Sequence, residues 1–487
     1  MGRFKRAWAA LTSRSQSSPR ASTRSYSGAK LDRADRWWGS RSGPVSEVAR
    51  DLEMLRARSR DRAQNDPHGS KLVNALVDSI VLTGIRPTVD TDVEKANKIY
   101  DLWQQWGKRP AVGSGLDIYG IQRLMCRTWI VSGEAFAQLV TVQGPDIPLK
   151  IKLFEAEHVP LNTIERPDLA SGIEFDANGE KIAYHILDHH PGDTLQAPGK
   201  LIRVPADQII HCFTPDRPGQ IRGVPIMAPV LMALWDLEGY MEAIRVATRA
   251  AATLVMTVEG GDSPEPPAFL PDGLTLDGAE DGGLRLVTDS YGSPIERLGP
   301  GMIAYLPDGK TVKYTNPQPP GNIKEFLAVS HREIAAGVGL SYHVLTGDMS
   351  DANFAQAKLG LIEQDKHIRA MRESVFVPLV LDPLWDAFIR ACVVSGQLPP
   401  GDYPVRWSAP RSQSADRLAE VKASLLEMRA GLRSRSEIIE SEGRDPDEVN
   451  RDIALDAQKR KELGIVSDGD PSQVSLSGTL QAAMEVE

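Results

Sequence analysis

Residues 259–301 hold nine glycines and six prolines in 43 positions, and they lie between two stretches with helical hydrophobic spacing. Proline lacks a backbone donor and glycine weakens both helix and strand, so this segment cannot be a regular part of a core. The chain must therefore leave a folded body along one helix, make an irregular excursion, and come back along another. The excursion is also acidic: nine acids stand against one base, Arg285, from Glu259 to Glu296. The short runs LRLVT (284–288), MIAYL (302–306) and TVKY (311–314) favour a small β-rich insertion over a bare linker.

On the outgoing side, Pro225 suits a first helical turn, and Met227, Leu231, Leu234, Leu237, Met241 and Ile244 form one apolar stripe. The spacing predicts a helix to about Val255, on the order of 45 Å long at ~1.5 Å per residue. Ala250, Ala251 and Ala252 near its end permit close helix approach. On the return side, Asn322 with Glu325 makes a capping-box pattern, Ile323, Phe326, Leu327, Ile334 and Val338 form the stripe, and Gly337 and Gly339 end it. Residues 340–353 read as a loop. A second long helix starts near Asp351 and carries Phe354, Leu361, Ile362, Ile368, Met371 and Val375 up to Pro378, which is expected to kink or break it.

The first two hundred residues read as an α+β body. Helical spacing covers 44–83, broken at Asn65-Asp66-Pro67, and two further helices cover 91–108 and 116–133. Short alternating runs follow: FAQLVTV, KIKLF, GIEFD, KIAYHIL and QIIHCF, with Asn178-Gly179 as a hairpin turn. The C-terminal part is again helical. Residues 415–430 stop at Gly431, Ser434 with Glu437 opens the next helix, and Asp445-Pro446-Asp447-Glu448 opens a third. Beyond Gly464 the chain turns polar, and disorder is expected there.

Composition narrows the function classes. Hydrophobic residues are 41% and charged residues 25%, so the chain of 487 residues can bury a sizeable core. No run reaches the ~18 apolar residues of a membrane span. Cys126, Cys212 and Cys392 are far apart, which argues against a disulfide scaffold or a cysteine zinc site. The net charge of −9 hides an asymmetry: residues 1–62 carry 15 basic and 6 acidic side chains, and the remainder carries a net −18. The Arg/Ser-rich start reads as a flexible basic arm able to contact nucleic acid or an acidic protein surface.

Catalytic signals are weak. LPDGKT (306–311) has the end of a phosphate-binding loop, but Ala304 stands where that loop needs glycine, and a hairpin turn at Asp308-Gly309 explains it. HILDHH (185–190) clusters three histidines with Asp188. Strand alternation, however, sends His185 and Leu187 to one face and Asp188 and His190 to the other. His211 beside Cys212 reads as a satisfied strand residue. No nucleophile elbow, zinc-protease, EF-hand or dinucleotide pattern appears with the right flanks, and no enzyme activity, cofactor or metal is expected.

Several segments together resemble the lambda-type family of tailed-phage portal proteins, over roughly residues 25–465. They are residues 52–87, SGEAFAQ (132–138), RPGQIRGVP (217–225), GDMSDANFAQAK (347–358) and AGLRSRSEIIESEGRDPDEV (430–449). The motif before the outgoing helix, with Arg217, Pro218, Gly219, Gln220, Arg222 and Gly223, is the most specific. One departure matters. The family tends to show Asn-Tyr-Ser-Ser-x-Arg where this chain has Asn353-Phe354-Ala355-Gln356-Ala357-Lys358, so no role of those serines carries over.

The resemblance implies a ring-forming portal fold, usually twelve-fold, at one capsid vertex. It implies a basic arm (1–43), an α+β wing (44–222), a stem helix (223–255), a β-rich clip (256–320), a second stem helix (321–339) and a tunnel loop (340–353). A kinked helix returning to the wing (354–409), a helical crown (410–465) and a disordered tail (466–487) complete the map. Tyr342, His343, Thr346, Asp348, Ser350, Asp351, Asn353 and Lys358 would face the DNA channel. Implied partners are further copies of the chain, double-stranded DNA in transit, the terminase large subunit, the head–tail connector, and capsid and scaffold proteins, with no membrane. The implied location is the virion, and the host cytoplasm during assembly. The charge agrees with a conduit: a net −18 over 63–487 repels a phosphate backbone, and the loop has Asp348 and Asp351 but no base before Lys358. Two other readings are open to the sequence. A nucleic-acid-binding protein working through the basic arm predicts salt-sensitive DNA binding by residues 1–62. A metal-dependent hydrolase predicts metal held by the His185–His190 cluster.

Overall fold

The computed structural model describes residues 42–144, 146–161, 168–193, 199–253, 257–258, 304–305, 323–350, 354–410 and 417–464. The basic arm, nearly all of 254–322 and the tail lie outside them. So do the capping box at Asn322, two of the three short runs in the insertion, and Asp351 and Asn353.

The body is layered around a three-stranded antiparallel sheet, β3-β2-β8, built from β2 (Glu134–Thr141), β3 (Leu149–Phe154) and β8 (Ile209–Phe213). Side chains alternate between its faces. Ala135 and Ala137 of β2 and Ile210 and Cys212 of β8 face the helical core, while Phe136 and Ile209 face a second, smaller core. The helical side holds α1 (Pro44–Asn65), α2 (Pro67–Ile80), α3 (Val93–Gly107) and α4 (Ile118–Ser132). The other side holds a four-stranded sheet of β4 (Leu169–Ala170), β5 (Ile173–Phe175), β6 (Lys181–Leu187) and β7 (Leu201–Pro205). A strand buried on both faces reads as a near-continuous apolar run, as IIHCF does.

The punctuation in the sequence explains the helix ends. Asp66 caps α2 by accepting from His68 N, with Pro67 at the first position, and Asp117 caps α4 by accepting from Gly120 N at 2.7 Å. At Asn178-Gly179, Asp176 accepts from the backbone of Asn178 and of Glu180, both at 2.8 Å. Strand β1 (Arg86–Val89) pairs antiparallel with β11 (Val405–Ser408), and β7 joins β6. These three strands were not expected. Two of them are four-residue pieces flanked by or containing proline, and their pairing spans more than three hundred residues of sequence.

The outgoing helix corrects the expectation at Pro225. Helix α5 is Leu231–Thr253 and begins after a 3₁₀ turn at Ala228–Val230. Before that the chain is tied to the end of α4, with Ile226 N donating to Ile130 O at 3.1 Å, so Pro225 sits in a crossing segment and not in a helical turn. In the excursion, β9 (Thr257–Val258) and β10 (Ala304–Tyr305) pair in parallel, which brings its two ends alongside each other. The return helix α6 (Ile323–Gly337) packs on α5, with the rings of Tyr240 and Phe326 4.3 Å apart. A Cβ on Gly337 would lie 2.4 Å from Val230 Cγ1, so the end of α6 closes tightly on the 3₁₀ turn.

Two further expectations change. The segment 340–353 is not simply a loop: it contains a short helix, α7 (Tyr342–Thr346), capped by Ser341 and ended by Gly347 in the left-handed conformation. Pro378 interrupts the α-helical geometry without ending the helical run. The chain runs from α8 (Phe354–Met371) through a π-helical stretch, Arg372–Leu381, into α9 (Asp382–Val394). A wider π turn moves the preceding carbonyls out of the path of the proline ring, and Asp382 N bonds to Val377 O across five residues. This stretch packs on β8, and α9 brings Trp385 and Phe388 against Trp103, with ring centres 5.5 and 5.0 Å apart. Three last helices follow: α10 (Arg417–Arg429), α11 (Arg435–Ser441) and α12 (Pro446–Leu463). The Ser434–Glu437 capping box and the Asp445 cap are both formed.

Candidate functional site

The segment after α6 is braced from within. Ser341 N donates to Gln364 Oε1 of α8 at 3.0 Å, and Leu345 is buried in the main core. The His343 ring donates from Nδ1 to Asp348 O at 2.9 Å, and Thr346 Oγ1 donates to Tyr342 O at 2.9 Å. Asp348 N donates to Thr346 Oγ1 at 3.1 Å, and Tyr342 OH reaches Asp348 Oδ2 at 3.5 Å. The Asp348 carboxylate also accepts from Ser350 N at 2.9 Å, an Asx turn. Hydrogen bonds from Ser350, aided by Lys324 and Tyr342, hold its carboxyl below the ordinary value, so it stays anionic near neutrality.

Of the expected channel residues, Tyr342, His343 and Thr346 are therefore occupied within the turn. Asp348 is half-buried, Ser350 is exposed, and Lys358 is exposed on α8. Met349, with 62% of its surface accessible at the tip, was missed by sequence reasoning; an isolated methionine in a polar loop carries no pattern to find it. The bracket Ser341…Gly347 was the available sign of the short helix.

The motif 217–223 plays a different part. Arg217-Pro218-Gly219-Gln220 is a type II turn: Gln220 N bonds to Arg217 O at 3.1 Å, with φ +81° at Gly219. Gln220 Oε1 accepts from Asp216 N and Arg217 N, and its amide donates to Arg222 O at 2.9 Å. Arg217 pairs with Glu47 of α1. Arg222 is buried and donates to both carboxylate oxygens of Glu134 at 2.9 and 3.0 Å, and to the carbonyls of Val159 and Ser171 at 3.0 and 2.7 Å. Arg56 of α1 pairs with the same carboxylate, Gly223 N donates to it at 3.0 Å, and His211 Nε2 approaches it at 3.1 Å. A Cβ at Gly223 would sit 2.0 Å from Gly133 O, so the two backbones touch.

Glu134 is thus the pin of a joint between α1, β2, β8 and the segment leading to α5. Burial opposes its ionisation, but Arg222, Arg56 and His211 outweigh that and hold it well below the usual carboxylate range. Burial pushes the His211 imidazole down to about 4. SGEAFAQ and RPGQIRGVP, far apart in sequence, meet at this pin; neither reveals its partner alone.

The histidine cluster does not converge. His185 faces Glu174, which also takes Arg203 at 2.8 Å, while His190 faces Glu155 at 3.2 Å. Glu155, Glu157 and His190 lie within 4.8 Å of one another. Yet His190 Nδ1 accepts from Gly192 N at 3.0 Å, which puts the ring proton on Nε2, the atom that would have to bind a cation. Arg60 already neutralises this acidic pair, 2.7 Å from Glu157. The three cysteines are buried and free, and among the described residues no helix is long and apolar enough to cross a membrane.

What is built, then, is an α+β body with a pinned joint, a helix–insertion–helix excursion and a braced turn, followed by a long helix back into the body. The family described as phage portal protein, lambda family, matches residues 30–372. Among relatives, the protein named "Probable portal protein" of Halomonas phage phiHAP-1 is 24% identical over 474 residues, spanning 91% of this chain and 88% of that one. Portal protein B of Escherichia phage lambda is 22% identical over 335 residues, 63% of this chain and 61% of that protein. Among solved structures, a chain from the virion of a native gene transfer agent particle aligns with a TM-score of 0.40 and 19% identity, covering 88% of this chain and 95% of that one. A chain from the neck of an empty gene transfer agent particle gives 0.40 and 16% at the same coverage. The molecule is a portal protein, a structural component of a phage virion. Its family is the lambda family of phage portal proteins, to which the chain belongs over well more than half its length.

Proposed function

We propose that twelve copies assemble as a ring at one capsid vertex, through which double-stranded DNA is packaged by a terminase and later ejected. The observation that carries this is the order of parts within the family match: body, α5, insertion, α6, braced turn, long returning helix. Residues 44–222 act as the wing, 223–255 and 321–339 as the stem, 256–320 as the clip, 340–353 as the tunnel loop, 354–409 as the returning helix and 410–465 as the crown. The clip docks the terminase large subunit and later the head–tail connector, and the wing meets capsid and scaffold proteins. The ring works as a conduit and not as an enzyme, and it assembles in the host cytoplasm. Exposed apolar side chains on α5 (Met232, Trp235) and α6 (Phe326, Val329) support a ring, because a neighbouring copy would cover them.

Within the tunnel loop, Asp348 and Asp351 present negative charge to passing phosphates, with Met349 and Ser350 at the tip. Changing both acids to Lys replaces repulsion by attraction at each subunit. Ring assembly survives, DNA packaging or retention changes, and the effect weakens as salt rises. Because Asp348 also holds Ser350 N, Asp348→Asn serves as the control that keeps the turn and removes the charge. Normal packaging yield and infectivity of the double Lys variant at low salt would rule out the channel assignment.

A further inference from the structure

His68 and His331 bring two imidazoles together where α2 meets α6. Their Nε2 atoms are 3.5 Å apart, and their ring centres 4.6 Å apart at a tilt of 50°. His68 is held in place by the Asp66 cap and Pro67 at the start of α2. One proton at most fits between two such nitrogens. If both rings are protonated, two N–H groups and two positive charges face each other at contact distance.

The surroundings offer little compensation. On α2's side, Asp66 accepts from the backbone of His68, and its carboxylate lies 4.0 Å from Arg62 of α1. Arg62 in turn pairs with Glu238 of α5. On α6, the Arg332 guanidinium lies over the Tyr342 ring at 5.3 Å. Tyr342 of α7 has its ring centre 6.5 Å from that of His331. Among the described residues, no carboxylate is ion-paired with either imidazole. Burial, with the neighbouring His68, holds the His331 imidazole below its ordinary 6.5.

We propose that His68 and His331 form a proton-sensitive latch between α2 and α6, closed when the pair is not doubly protonated and opened when both rings take up protons. The turn at 342–348 follows the latch. Helix α7 packs on both α2 and α6, and Tyr342 links His331 to Asp348. Separating α2 from α6 takes α7 away from one of the two helices it packs on. The sign follows from the contact: the closed form binds fewer protons than the open form, so closure is strongest above the ordinary imidazole value and weakens as pH falls through it. This mechanism is independent of whether the turn lines a channel.

The test is hydrogen–deuterium exchange of the full-length protein at pH 7.5 and 5.5, with labelling times scaled for the chemical pH dependence of exchange. The quantity read is the ratio of protection at the two pH values in peptides covering 342–350. A latch predicts about a three-fold or larger loss at pH 5.5, within a ceiling of roughly ten-fold per pH unit for one linked proton. It also predicts that His331→Gln, and separately His68→Gln, bring the ratio near one, whatever their absolute protection. Three results would overturn the latch: an unchanged wild-type ratio, a wild-type-like ratio in either Gln variant, or an equal loss in peptides from 380–392, which would signal general acid loosening.

Discussion

At the scale of single residues, the chain depends most on Glu134 and the groups that satisfy it. One carboxylate serves two buried guanidiniums, and the carbonyls of Val159, Ser171, Ala156 and Ser132 accept from them as well. Removing the carboxylate leaves two buried cations without their counter-charge, so Glu134→Ala should cost about 3–5 kcal/mol in chemical denaturation. His211 adds a pH dependence. Its value falls from 6.5 to about 4 on burial, so the unfolded chain binds more protons than the folded one between those values. Stability is then fully present above pH 6.5 and declines as pH drops toward 4, by roughly 3 kcal/mol at 1.36 kcal/mol per unit. Denaturation midpoints of wild type and His211→Gln between pH 7.5 and 5 check this: the variant, which can still donate to Glu134, should show a shallower slope.

Among the elements, the π-helical stretch shows most clearly how packing overrides local preference. Proline inside an α-helix costs ~3 kcal/mol or more, yet Pro378 lies within a continuous helical run. The register on either side is set elsewhere. Phe376 stacks on Trp129 at 6.2 Å, and Trp385 donates from Nε1 to Tyr403 O at 2.9 Å. A strict α-helix would rotate α9 relative to α8 and take Trp385 and Phe388 away from Trp103. Pro378→Ala should therefore change stability by less than about 1 kcal/mol, since packing and not the proline maintains the π geometry. A gain near 3 kcal/mol in denaturation would show instead that the proline strains the helix.

For the whole molecule, the excursion is separable from the body. Its ends lie alongside each other at β9 and β10, so a short linker can replace 259–301 at modest entropic cost. The shortened chain should keep its helical circular dichroism and, in native mass measurement, the same species near twelve subunits as the intact chain. It should lose terminase association. Retained terminase binding would place the docking surface elsewhere, and a stable monomer of the intact chain in every salt condition would remove the ring.

Local signals were enough for much of this. Capping residues and hydrophobic period located α1 to α4, the turn at Asn178-Gly179, the Ser434 and Asp445 helix starts, and the helix–insertion–helix order, because each depends on atoms within a few residues. The family resemblance was legible for the same reason, in short runs of chain. Other features needed the fold. Strands β1 and β11 exist only as each other's partner. The 3₁₀ start of α5 follows from Ile226 being held by α4, and the π stretch from an aromatic cluster gathered from three elements. RPGQIRGVP was recognised as a motif, but its physical meaning lies in Glu134, 88 residues from Arg222 in sequence. Charge burial and close backbone approach are properties of pairs distant in sequence, and only tertiary structure brings such pairs together.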